Sequence, residues 1–208
     1  MKRALWVAAY AVAMAYLEAA VVVYLRALYY PAGFAFPLVL IPDRMAAIEI
    51  GREAATIMML LSIAWLAGPR PGERFLHFCL VFGVWDIFYY VWLRALAGWP
   101  PSLLTWDILF LIPVPWAGPV LAPLLVSLGL VSGAMLLLAR RGRGEGARLS
   151  AVVWGAGIVG GLLVLAAFTL DHDVVLKGLM PPPFRWGLFG AGMALAAAAL
   201  VRAARSRP

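Results

Sequence analysis

The chain has 208 residues, of which 65% are hydrophobic and only 13% charged, with a mean hydropathy of +0.94. A soluble domain carries roughly 45–50% apolar and about 25% charged residues, so this chain lacks the polar surface to cover itself, and its apolar content equally excludes disorder. The net charge of +7 invites a nucleic-acid partner, but the aromatics (12%) sit inside long apolar runs and not in a basic patch, which argues against one.

The composition points to an all-α integral membrane protein, read as a single polytopic domain over 1–208 that lies in the lipid bilayer. A spanning helix needs about 20 mostly apolar residues. In chain order six stretches qualify, at 4–28, 45–67, 75–97, 117–139, 150–170 and 185–203. The start, Met1-Lys2-Arg3 with Ala11-Val12-Ala13 behind it, imitates a secretory signal. Its apolar run continues to Leu25, well past the usual h-region of roughly 7–15 residues, so an uncleaved first helix is expected. Between the third and fourth spans, Trp106 to Trp116 is too short to cross and holds Pro113 and Pro115. This reads as a re-entrant or interfacial segment. Thr105 is placed to cap a short helix beginning at Trp106, with Asp107 at its positive dipole end.

Orientation follows from the basic residues, which cytoplasmic loops retain. One side collects Lys2, Arg3, Arg70, Arg74, Arg140, Arg141, Arg143, Arg148, Arg202, Arg205 and Arg207; the other collects Arg26, Arg44, Arg94, Lys177 and Arg185. Both termini are therefore expected on the cytoplasmic face of a cell inner membrane, as an even number of spans requires. Tyr29, Tyr30, Trp92, Trp99, Trp106 and Trp186 fall where an outer aromatic belt would lie.

The outer ends of the odd-numbered spans resemble one another. Val23-Tyr24-Leu25-Arg26-Ala27-Leu28 precedes Pro31, Val91-Trp92-Leu93-Arg94-Ala95-Leu96 precedes Pro100, and Val174-Val175-Leu176-Lys177-Gly178-Leu179 precedes Pro181. Leu40-Ile41-Pro42 likewise resembles Leu111-Ile112-Pro113, and an acid, Glu18 or Asp86, stands eight residues before the basic residue in the first two copies. Repeated helix hairpins are one reading; a shared preference of interfacial helix ends is the other.

Four carboxylates fall inside spans: Glu18, Glu49, Glu53 and Asp86. At a rise of about 1.5 Å per residue they lie roughly 9, 8, 14 and 12 Å below the outer surface, in one layer. An ionised acid near a span centre costs on the order of 2.5–3.5 kcal/mol on insertion scales, so these side chains are expected to face the bundle interior. Glu49, Arg52, Glu53 and Thr56 share one stripe of the second helix. Arg52 can neutralise one acid; the others need protons, a cation, or arginines reaching inward. Arg26, Arg44, Arg94 and Asp107 form a candidate rim. Three readings stay open: a cavity handling a cation or protons, a pocket for a phosphate or carboxylate head group, and a polar network that only sets packing. In functional terms these are a transporter or channel-like protein, a membrane enzyme acting on a lipid or quinone, and a non-catalytic subunit or assembly factor.

The remaining signals are weaker. Cys79 is alone, so no intrachain disulfide and no cysteine metal cluster can form. His77 and His172 are assigned to opposite sides, with His77 expected to pack beside Cys79. Asp171-His172-Asp173 reads as a solvated helix end, since three adjacent residues converge poorly on one metal. Small residues fill the fifth and sixth spans, and Gly157 and Gly161 form a small-xxx-small pair suited to close packing, internally or with a second copy or another subunit. The basic loop from Arg140 to Arg148 is explained by topology. No phosphate-binding Gly-Lys loop, HExxH, CxxC or GxSxG occurs, and nothing identifies a cofactor.

Overall fold

A computed structural model describes residues 2–39, 41–145 and 150–206. Leu40 of the repeated Leu-Ile-Pro, and Arg148 and Arg207 of the basic margin, lie outside the described residues. The described residues are 73% helical and include six helices long and apolar enough to cross a membrane, which makes the chain a multi-pass membrane protein of helical class. The order is α1 (Lys2–Tyr29), α2 (Asp43–Ala67), α3 (Pro71–Ala97), β1 (Trp106–Phe110), β2 (Trp116–Pro119), α4 (Leu121–Gly142), α5 (Ala151–Thr169), a short α6 (His172–Leu176) and α7 (Trp186–Arg205).

Local chemistry sets several helix ends. Pro71 opens α3, where its missing N–H costs nothing, and Gly98 closes the same helix at a φ of 66° that suits glycine. Ser150 caps α5, its hydroxyl accepting from the Val153 N–H. Arg3 donates to the Ala67 carbonyl and Arg140 to that of Ser206. The start of α1, the α2–α3 turn, the end of α4 and the end of α7 therefore share one end of the bundle.

The segment between α3 and α4 departs from expectation. In place of a short capped helix at Trp106, the chain forms an antiparallel hairpin pairing Asp107 with Gly118 and Ile108 with Ala117, and α4 starts at Leu121 and not at 117. Pro113 and Pro115 forbid a continuing helix, and a hairpin satisfies its own backbone groups where water is excluded. Thr105 does not cap a helix; its hydroxyl accepts from the Ser102 N–H. The hairpin is an internal element. Phe110 packs against Phe82 and Trp85 midway along α3, and Trp116 stacks on Phe168 of α5. Gly118 lets the hairpin sit close here, since a Cβ would lie 3.0 Å from both Phe168 and Phe184 and those rings would have to give by a few tenths of an ångström.

The helices divide around this hairpin. α1, α2 and α4 each pack along α3, while α1 and α2 touch each other only sparsely. Val7, Ala11, Ala15, Leu60, Leu80 and Val81 form the core of this group. On the far side α5 and α7 close tightly, with a second core of Val164, Phe168, Phe184 and Phe189. The close approach there rests on Gly160 and Gly192, where a Cβ would sit 2.8 and 2.7 Å from the opposite carbonyl oxygen. Gly157 and Gly161 are not the contact pair, for nothing lies within 4 Å of a Cβ at either position. Two belt aromatics also prove internal. Trp92 donates from Nε1 to the Val12 carbonyl at 3.1 Å and meets Tyr16 edge-on, and Trp99 is buried over a guanidinium.

Candidate functional site

The space between α1, α2, α3 and the hairpin is a cavity of about 450 Å³. Glu18, Glu49, Glu53, Asp86 and Asp107 line it, all buried in the folded chain, together with Arg26 and Arg52. Its upper wall reaches Val39 and Asp43, exposed at the α1–α2 connection, so the cavity runs from that end of the bundle into the interior.

Each acid is placed by its helix and held by a specific donor. Glu18 of α1 faces α2, paired with Arg52 Nη1 through Oε1 and accepting from the Thr56 hydroxyl at 3.0 Å through Oε2. Arg52 turns its Nε to Glu49, one helical turn back, at 2.8 Å. One guanidinium thus serves two carboxylates. Glu53 takes a different partner: the Leu111 N–H at the end of β1 donates to its Oε2 at 2.8 Å. A backbone group freed where the hairpin turns is satisfied by an acid from a helix, as non-helical backbone inside a bundle requires. Asp86 of α3 accepts from the Ser127 hydroxyl of α4 at 2.7 Å.

Asp107 is the most enclosed of the five, with no exposed surface. Its Oδ1 accepts from Arg26 Nη2 at 3.0 Å, across 81 residues of sequence. Arg26 itself lies against the rings of Phe34 and Trp99, which meet edge to face, 4.1 and 3.8 Å from their centroids, an arrangement that offsets the desolvation of a guanidinium. Burial pushes the Asp107 carboxyl up to about 6, with the Arg26 charge and hydrogen bonding opposing that rise. Among the described residues, Asp107 Oδ2, Arg26 Nη1, Trp99 Nε1 and the Tyr90 hydroxyl are buried here without a well-formed hydrogen bond, although the hydroxyl lies close enough to Asp107 to favour its charged form.

The residues expected at the site therefore separate. Glu18, Glu49, Arg52, Glu53 and Asp86 are brought together, and of the rim, Arg26 and Asp107 join them. Arg44 and Arg94 do not. Arg44 is exposed at the start of α2, and Arg94 donates to the carbonyls of Gly98 and Pro100, closing its own helix end instead of reaching inward. Tyr89, Tyr90 and Ser127 were not anticipated. Tyr89 and Tyr90 follow Asp86 by three and four positions and so occupy its helical stripe, a signal present in the sequence. Ser127 carried none.

Outside the cavity, Asp171 accepts two hydrogen bonds from Arg185 at 3.0 and 2.8 Å, and His172 donates to the Thr169 carbonyl. His77 donates to the Glu73 carbonyl and, like Cys79, is a buried residue of α3. Among the described residues, no three histidine, cysteine or acidic side chains converge closely enough to hold a metal ion. No family model, curated protein or solved structure matches this chain.

Charge balance states what the cavity can do. Five buried carboxylates against two guanidiniums leave three negative charges without a cation from the chain. Charges removed from water must be paired or neutralised. The balance has to come from protons or from a cation that enters.

Proposed function

We propose that the protein is a small transporter or channel-like protein of a cell inner membrane, with cytoplasmic termini and an outward-facing acidic cavity that handles a cation or protons. One observation carries this reading: five buried carboxylates converge on a single cavity that supplies only two cations of its own. Ionisable side chains within membrane spans are expensive, and they mark ion and proton pathways. The basic margin supports the orientation. Lys2, Arg3, Arg70, Arg74, Arg140, Arg141, Arg202 and Arg205 belong to the end of the bundle opposite the cavity mouth. Glu18 and Asp86, the acids of the two most similar helix ends, line the same cavity.

The test is flux into proteoliposomes. With an inside-negative potential and a dye for pH, sodium or potassium entrapped in separate preparations, the wild type is expected to admit at least one of these ions faster than empty vesicles. Asp86→Asn should lower that flux at least tenfold, and Asp171→Asn, outside the cavity, should leave it unchanged. Wild-type flux equal to that of empty vesicles for all three ions overturns the reading.

A further inference from the structure

The acidic cavity has more room and more apolar wall than protons or bare ions use. About 450 Å³ lies within the range of sites that enclose small organic molecules. Val22 and Leu25 of α1, Ile108 and Leu109 of β1, and Val175 of α6 contribute apolar surface to it. An inorganic divalent cation is usually held by several converging carboxylates, and no three acidic, histidine or cysteine side chains converge closely enough for one among the described residues. Acids set beside aromatic rings instead match an ammonium group, which carboxylates attract as a charge and ring faces attract through their quadrupole.

A second observation locates the head of such a ligand. Asp107 has no exposed surface, yet its Oδ2 has no well-formed hydrogen bond, and the buried Tyr90 hydroxyl beside the same cavity has none either. Asp107 Oδ2 accepts hydrogen bonds, and the neighbouring Tyr90 hydroxyl both donates and accepts, so it can turn its proton to Asp107 and still receive one from a ligand; Arg26 Nη1 and Trp85 Nε1 are unpartnered donors at the same cavity. Asp86 lies on the same wall with one oxygen committed to Ser127. A single N–H-bearing cation would satisfy Asp107 and Tyr90 together and reduce the excess negative charge.

We infer that the cavity binds an organic ammonium ion, its charged nitrogen among Asp107, Asp86 and the Tyr90 hydroxyl and its apolar body along Val22, Leu25 and Leu109. This names the cation class of the transport reading and rests on it for any movement across the membrane, but the binding itself is testable without flux. The ammonium could arrive as a free amine or on a phospholipid head group, for α1 and α2 touch only sparsely.

The experiment is equilibrium titration of the full-length protein in nanodiscs of phosphatidylglycerol, followed by tryptophan fluorescence, since Trp85 lines the cavity. The probes are n-hexylammonium, hexan-1-ol, hexanoate and potassium. Hexylammonium is expected to bind at least tenfold more tightly than hexan-1-ol. Asp107→Asn should weaken it at least tenfold. Tyr90→Phe removes one hydroxyl beside Asp107 and keeps the ring, so the fold should persist, and a loss of threefold or more is expected. Repeating the titration with phosphatidylethanolamine in the disc separates the sources: competition assigns the ammonium to the lipid, and unchanged affinity assigns it to a free amine. Equal binding of hexylammonium and hexan-1-ol, or tighter binding of hexanoate through Arg26 Nη1, overturns the inference. If hexylammonium fails while Asp86-dependent proton flux persists, the ligand class is wrong and the transport reading survives; if both fail, both fall.

Discussion

Helices α1, α2 and α3 enclose a cavity lined by charge, whereas α5 and α7 close on each other until backbone meets backbone. Among the described residues every buried polar or charged side chain lies between Glu18 and Ser127. Between α5 and α7 contact is made by small and apolar groups, with Gly160 against Gly192 at its centre. The difference follows from what each half must satisfy. Apolar helices in lipid gain little from hydrophobic burial against each other, so α5 and α7 associate through close packing that only glycine permits. Helices carrying acids are instead held by the cost of leaving those acids unpaired, and they tolerate empty space between them. One half is built like a scaffold and the other like a site. The hairpin joins them, touching Glu53 on one side and Phe168 on the other.

The largest effect expected on this contrast comes from Arg52. Arg52→Met removes the shared partner of Glu18 and Glu49, and breaking a buried ion pair from one side costs about 3–5 kcal/mol. The apparent unfolding midpoint in detergent should fall accordingly, and adding Glu18→Gln to the same chain should restore part of the loss. A midpoint unchanged in Arg52→Met would mean that the charged half is not held by its ion pairs. Next comes the scaffold half. Gly192→Val places side-chain atoms against the Gly160 carbonyl and Val164, and overpacking of this kind costs about 1–3 kcal/mol. The unfolding midpoint should drop while the folded fraction still binds hexylammonium with wild-type affinity. Affinity lost along with stability would show that the hairpin couples the halves.

The smallest expected effect is a pH dependence. Asp107 faces Arg26 from α1 and Tyr90 and Asp86 from α3, and burial pushes its carboxyl up to about 6. Above that value it is ionised and attracts an ammonium ion; below it the proton removes the charge. Each pH unit below the midpoint lowers the ionised fraction about tenfold, so affinity should weaken by about that factor between pH 7 and 5. Asp107→Asn should flatten this part of the profile, and a wild-type affinity that rises on acidification would contradict the assigned role.

Much of this was legible before any tertiary arrangement. Six apolar runs announce six spans because lipid thickness imposes a length, and Glu18, Glu49, Glu53 and Asp86 stand out because each interrupts such a run at a cost. Their common depth follows from helical rise alone. Even the Glu49–Arg52 contact is a spacing along one helix, and the structure realises it at 2.8 Å. Trp106 to Trp116 was legible only as something that cannot cross. Pro113 and Pro115 exclude a helix without selecting a hairpin, because the selection depends on Glu53, Phe82 and Phe168 being there to receive it.

Membrane class, span number and a shared acidic layer are thus properties of the chain read one residue at a time, since hydropathy and helical rise are local. Which arginines serve the acids is decided only in three dimensions. Arg26, Arg44 and Arg94 are alike in the sequence, each beside an outer helix end. Arg26 turns inward because Phe34, Trp99 and Asp107 enclose it; Arg94 closes its own helix, and Arg44 remains in the open. The pairing of Arg26 with Asp107 spans 81 residues, and no local propensity encodes a contact whose energy exists only once both groups have left water.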